Sequence, residues 1–231
     1  MSPVVLLHLW GLPGRRVPAA TARTALSLRA LRRDPGLRFV KFLGTGSGRT
    51  FAPGDADLRH WALLTVWTDP EAGAAFERDD VVRRLDGVAD ERLRVTMAPL
   101  WATGSWAGRR PFTPPQETAG GRRGGPVAAL TRARLRPGRV ARFRRAVPPV
   151  AADLRDRAGL RLAVGIGETP VLHQGTFSLW DSATSLVAFA AGSAAHREVV
   201  RRTPAARWYA EEAFARLAVT DVAGTYGGRT P

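Results

Sequence analysis

The chain has 231 residues, 45% of them hydrophobic, with a formal net charge of +15 and no cysteine. That length allows one large domain or two of ordinary size, and the missing cysteines exclude disulfides, thiolate metal ligands and cysteine nucleophiles. No stretch approaches the roughly eighteen uninterrupted apolar residues of a membrane-spanning helix, and MSPVVLLHLWGLPGRRV lacks the charge order and cleavage site of a secretion signal, so a cytoplasmic protein is expected. Residues 3–10, β-branched and leucine-rich, predict a strand ended by Pro13-Gly14. Over 18–33, Ala22, Ala25, Leu26, Leu28 and Leu31 approach helical spacing before Asp34-Pro35-Gly36 stops the helix. LRFVKFLG (37–44) and HWALLTVW (60–67) predict two strands. DPEAGAAFERDDVVRRL (69–85) starts a helix with an Asp N-cap and a proline at the first helical position. LRVTMAPLW (93–101) closes with a strand. The order then returns: strand 126–134, helix 138–158, strands 160–166 and 173–180, helix 182–203, strand 216–223.

The recurrence is also one of phrases. SPV at 2–4 and GPV at 125–127 lie 123 positions apart, as do the two GLR triplets at 36–38 and 159–161, and Gly44 and Gly167. His60 and His173, Trp67 and Trp180, and Phe76 and Phe189 are each 113 apart, so the first copy has a loop ten residues longer between its second and third strands. VVRR recurs at 81–84 and 199–202, and LRVT at 93–96 is echoed by LAVT at 217–220. Ordered echoes of this kind indicate tandem duplication. The predicted class is α+β: two ferredoxin-like β-α-β-β-α-β units forming a dimeric α+β barrel-like arrangement within one chain. The expected division is repeat 1–105, a Gly/Pro/Arg-rich linker 106–124, and repeat 125–231. Trp106 and Phe112 are expected to pack down, and the later part of the linker to be mobile.

Of 35 basic residues only Lys41 is a lysine. The arginines are scattered through both halves rather than gathered in a stripe with stacking aromatics, which argues against nucleic acid. An acidic protein or an anionic membrane surface suits such charge better. GTGSGR (44–49) lacks both the full GxGxxG and the GK[ST] of phosphate loops and reads as a connection or a lid over the barrel mouth. No HxH or HExxH spacing and no GxSxG elbow is present. Among four histidines, His8 lies in a strand and reads as a hydrogen-bonded barrel residue, while His60 and His173 open equivalent strands. His196, in GSAAHREVVRR, stands on a helix where the 113 offset puts Arg83, so it is the candidate metal or haem ligand. TPAARWYAEEAFARL (203–217) places Trp208, Tyr209, Glu211, Glu212 and Phe214 within two turns if helical, offering a phenol and a carboxylate on one face; solvated glutamates on a helix or turn are the plain alternative.

Taken together and in order, GLRFVKFLGTGSGRTF, WALLTVW, GSWAGRRPF, VAALTRARLRP, FRRAVPPV, GIGETPVLHQGTFSLW, AHREVVRRT and WYAEEAFARLAV resemble the spheroidene monooxygenase family of carotenoid ketolases. The resemblance covers nearly the whole chain outside the linker and the two ends. It implies a haem-dependent oxygenase of the dimeric α+β barrel type, with dioxygen as co-substrate, adding hydroxyl and then keto oxygen to a hydrophobic substrate such as an acyclic carotenoid. On that footing His196 is the expected iron ligand, Arg197 and Trp208 the other cofactor-binding residues, and Tyr209 and Glu212 the catalytic groups. The implied partners are a small hydrophobic substrate and an electron donor such as a ferredoxin or a reductase, with room for peripheral membrane contact and for an oligomer. The alternatives are a same-fold haem enzyme doing other redox or dehydration chemistry, and a non-catalytic barrel that binds haem or another hydrophobic ligand.

Overall fold

The computed structural model describes residues 2–49, 53–114, 124–169 and 172–231. The first half runs β1 (Val4–Gly11), α1 (Val17–Leu31), β2 (Leu37–Gly46), β3 (Ala56–Trp67), α2 (Pro70–Phe76), α3 (Asp80–Asp86) and β4 (Glu91–Gly104). The second runs β5 (Val127–Leu135), α4 (Val140–Arg155), β6 (Leu160–Thr169), β7 (His173–Trp180), α5 (Ala183–Gly192), α6 (Ala194–Ala206) and β8 (Tyr209–Gly224). The eight strands close one antiparallel barrel in the order β1-β3-β2-β6-β7-β5-β8-β4, so the class is α+β with the sheets of both halves joined into one wall. The repeated phrases share register. Val4 pairs with Trp67 and Gly11 with His60, as Val127 pairs with Trp180 and Arg134 with His173.

Several expectations are corrected. The helix expected over 69–85 is two helices, because Asp79 accepts from the backbone N–H of Val81 and caps a new start. The helix expected over 182–203 likewise breaks at Ser193, whose hydroxyl accepts from the N–H of His196 at 2.9 Å. In α1 the buried residues are Thr24, Leu28 and Leu31, while Leu26 is exposed. The largest revision is at 203–217. Arg207 adopts a left-handed conformation (φ 48°) that ends α6, and the chain from Tyr209 is strand, seven residues before the expected start. Tertiary pairing with β5 and β4 overrides local preference there. The LRVT/LAVT echo is also four residues out of structural register, since Met97 opposite Val5 corresponds to Leu217 opposite Ala128. GTGSGR begins as the end of β2, where Gly44 pairs with Gly167 and Gly46 with Gly165 across the seam between halves. Of the expected linker, Trp106 and Phe112 are buried in the barrel core; the later part, expected to be mobile, falls on residues 115–123, outside the described residues.

Side chains alternate between the two faces of the wall. Inside, Leu7, Leu64, Val95, Leu130, Phe177 and Leu217 build one core, and burial of each such side chain contributes roughly 1.5–3 kcal/mol. Outside the first half, Leu6, Trp10, Leu63 and Trp67 pack against Leu28, Phe76 and Val82 in a single cluster. Outside the second half the apolar residues divide into two clusters, one around Phe143 and Trp208, the other around Trp180 and Phe189. The ladder explains the division. Leu6, His8, Trp10 and Leu63 of the first half correspond to Ala129, Thr131, Ala133 and Thr176 of the second. Lost side-chain volume leaves a space under α4, α5 and α6.

Candidate active site

That space is a cavity of about 430 Å3. Its floor is the outer face of β5, β7 and β8, including Ala129, Thr131 and Thr176, whose hydroxyls meet at 2.7 Å between the two threonines. Its roof is Phe143, Val147 and Leu154 of α4, Leu186 and Phe189 of α5, and His196 and Val199 of α6. Residues 143, 147 and 151 recur at four-residue spacing, so α4 turns one apolar stripe to the cavity.

His196 lies in the first turn of α6, its imidazole 5.3 Å from the Phe189 ring between centroids. Its Nδ1 is 3.3 Å from the carbonyl of Ala190. A carbonyl only accepts, so Nδ1 is the donor in this contact, and Nε2 has no protein partner among the described residues. Counted from the capping residues, His196 stands where Val82 stands after Asp79, not where Arg83 does.

Tyr209 and Glu212 also line the cavity, from the strand rather than from a helix. Burial and the charge of Glu212 push the Tyr209 phenol up to about 12, against a hydrogen bond with Thr203. Burial raises the Glu212 carboxyl, and among the described residues no ion pair holds it ionised. Its neighbour Glu211 points the other way, into the barrel. Burial opposes ionisation there too, but the N–H groups of Gly108 and Ala107, the Arg132 guanidinium and the Ser105 hydroxyl outweigh it and hold the carboxyl at about 2. Adjacent carboxyls thus have opposite character because β8 alternates faces.

The other expected cofactor residues are placed elsewhere. Arg197 is exposed and donates to the carbonyl of Ala191, and Trp208 is buried against Phe143 in the outer cluster beside the cavity; neither lines the cavity. His8 is buried, 2.7 Å from Glu77 Oε1, and burial lowers its pKa. His60 bridges Asp57 (2.6 Å) and Glu91 (2.7 Å), and His173 contacts Thr169 at 3.0 Å away from the cavity. Sequence reading missed a matched pair of latches. Glu211 takes the hydroxyl of Ser105 and the N–H of Gly108; Glu91 takes the hydroxyl of Thr225 and the N–H groups of Gly227 and Gly228. Each half's glutamate holds the turn that ends the other half. The signal was present as TGSWAGR (103–109) and AGTYGGR (223–229), 120 positions apart, like Glu91 and Glu211.

No family profile matches the chain. The spheroidene monooxygenase of Rhodobacter capsulatus is 33% identical over 231 residues, covering 99% of this chain and 95% of that protein. That of Rubrivivax gelatinosus is 36% identical over 223 residues, covering 96% of this chain and 80% of its relative. The chain belongs to the spheroidene monooxygenase family. It is therefore an oxidoreductase of monooxygenase type, using dioxygen. Among solved structures, an aldoxime dehydratase in complex with butyraldoxime superposes with a TM-score of 0.61 at 11% identity, covering 95% of this chain and 80% of that one. At that identity the likeness is one of fold. No described helix is long and apolar enough to cross a membrane. Among the described residues no three His, Asp or Glu side chains gather to hold a metal ion.

Proposed function

We propose that the protein is a haem-dependent monooxygenase acting on a long apolar substrate of the acyclic carotenoid class, in the cavity beneath α4, α5 and α6. The observation that carries this reading is His196, an imidazole on the wall of an apolar cavity, with Nδ1 anchored on a backbone carbonyl and Nε2 free. That anchoring is the usual means of fixing tautomer and ring orientation in a ligating histidine. The cavity volume falls within the range of about 300–1,000 Å3 for cofactor and ligand sites. On α4, Nε and Nη2 of Arg144 are buried without a partner, one residue from cavity-lining Phe143, and such orphaned donors suit an acidic group such as a porphyrin propionate. Arg132, though at the cavity edge, is already spent on Glu168 and Glu211.

Haem in this position supplies the dioxygen-activating centre that the side chains lack. The chain's own residues do the remaining work. Leu186, Phe189 and Val199 exclude water from the roof. Converting a methylene to an alcohol consumes one dioxygen, two electrons and two protons, and releases one water. A second round at the same carbon gives a geminal diol, which loses water to become the ketone. Glu212, its carboxyl raised by burial, protonates the departing hydroxyl, and the neutral Tyr209 phenol orients the oxygen that stays. The electrons come from an external donor such as a ferredoxin or a reductase, to which an arginine-rich surface offers electrostatic steering. The curated relatives are named spheroidene monooxygenase, which supports a substrate of the carotenoid class.

The test is an absorption spectrum of protein produced with haem supply, before and after dithionite and carbon monoxide. Wild type should show a Soret band, His173→Ala should keep it, and His196→Ala should lose most of it while remaining folded by circular dichroism. A His196→Ala protein with an unchanged spectrum would sink the ligand assignment, and a wild type that takes up no haem would sink the cofactor.

A further inference from the structure

We infer that a trough on the outer surface of the barrel, across the β2–β6 seam, is a second substrate subsite that takes the length of a linear apolar molecule whose reacting end lies in the cavity. The inference rests on the oxygenase reading above and adds the place where the rest of the substrate lies.

The trough has a volume of about 290 Å3. Gly44 and Gly46 of β2 and Gly165 and Gly167 of β6 form its floor, with Trp61 and Leu58 beside it. Two residues, Gly48 and Gln174, border both the trough and the cavity, so the two spaces are adjacent. Leu58 is 73% exposed, the most exposed large apolar side chain among the described residues. The carboxylates nearby are already engaged: Asp57 with His60, Asp55 with the Ser47 hydroxyl, Glu168 with Lys41 and Arg132. What remains free is flat glycine backbone and apolar side chain, which fits an extended, planar polyene.

Three of the floor glycines are dictated by close backbone neighbours. A Cβ on Gly46 would lie 2.7 Å from the carbonyl oxygen of Asp55, one on Gly165 3.0 Å from the nitrogen of Gly48, and one on Gly167 2.8 Å from the carbonyl oxygen of His173. Gly44 is different. Its nearest neighbour would be the Gly167 carbonyl oxygen at 3.9 Å, an ordinary contact. A glycine inside a strand weakens it, and packing does not require one at this position. A flat floor for a ligand does. A cavity of about 430 Å3 is also near the lower end for a single bound molecule, so a porphyrin there leaves a long substrate to extend outward, past Gly48 and Gln174.

Binding of two probes separates the possibilities: lycopene in detergent, an acyclic carotenoid, followed by its absorbance shift, and geraniol, which matches only the terminal unit, followed by calorimetry. Gly44→Val should weaken lycopene binding by about tenfold or more, the effect of displacing one well-buried apolar contact. Geraniol binding should stay within about twofold, with the melting temperature unchanged or raised because valine suits a strand. Leu58→Asp, a change at an exposed side chain, should weaken lycopene selectively as well and guards against misfolding of the first variant. Unchanged lycopene binding in both variants, or equal loss of both probes, overturns the subsite. A wild type that binds neither probe overturns the apolar-substrate reading on which it rests.

Discussion

Replacing Glu211 by glutamine keeps the side chain's shape and removes its charge from the most heavily bonded carboxylate of the second half. Glu211 accepts from Arg132 Nη1 at 2.5 Å, the Gly108 N–H at 2.7 Å and the Ser105 hydroxyl at 3.1 Å, and its side chain is 11% exposed. Its carboxyl is held at about 2 against an ordinary value of 4.5. At about 1.4 kcal/mol per unit, that depression corresponds to about 3 kcal/mol, and solvent screening reduces it to about 2. Arg132 keeps Glu168, so no bare charge is left behind. Because the folded-state pKa is depressed, the stabilisation is fully present above the unfolded value and is lost as pH falls from about 4.5 through about 2. Urea unfolding of wild type and Glu211→Gln at pH 7, 5 and 3 should show a gap of about 2 kcal/mol at pH 7, with less than half of it left at pH 3. A gap below about 0.5 kcal/mol at pH 7, or one that does not narrow with acid, would refute the reasoning.

Glu212→Gln should lower turnover on the order of a hundredfold without loss of stability, as expected for removal of a general acid. Wild-type activity should fall as pH rises through the raised Glu212 value, and steady-state pH profiles should show that limb missing in the variant. Ala129→Leu restores the residue found at Leu6 in the first half and fills the cavity. Added burial of about 2 kcal/mol, less some strain, should leave the melting temperature unchanged or raised. Ligand uptake should drop at least about tenfold in equilibrium binding.

The strand and helix order was legible because alternation and paired turn signals repeat in both halves, and each copy checks the other. The barrel's closure was legible only as a class. Which strands cross between halves depends on the ladders Gly44–Gly167 and Leu93–Gly224, and neither pair announces itself locally. His196, Tyr209 and Glu212 lie on the wall of one cavity, although the helix assumed for the last two is a strand; a tyrosine and a glutamate three apart reach one wall because the β5–β8 pairing shifts register between Arg134 and Leu135, beside Tyr209. Arg197 and Trp208 do not line that cavity, because neighbours in sequence face different ways from an element whose edges were unknown. The cavity itself was hidden, since it arises from four small residues, Ala129, Thr131, Ala133 and Thr176, that become conspicuous only opposite their bulkier counterparts.

Two identical subunits closing this barrel would present two identical helix-covered faces, and any substitution would appear on both. Opening a pocket for a ligand would then hollow the scaffold twice. With both halves in one polypeptide, Leu6 and Trp10 can stay large while Ala129 and Ala133 become small. One face stays packed and the other is hollow. Symmetry is retained where it joins the molecule, in the reciprocal holds of Glu91 and Glu211 on each other's closing turns, and is broken where the second half is hollowed.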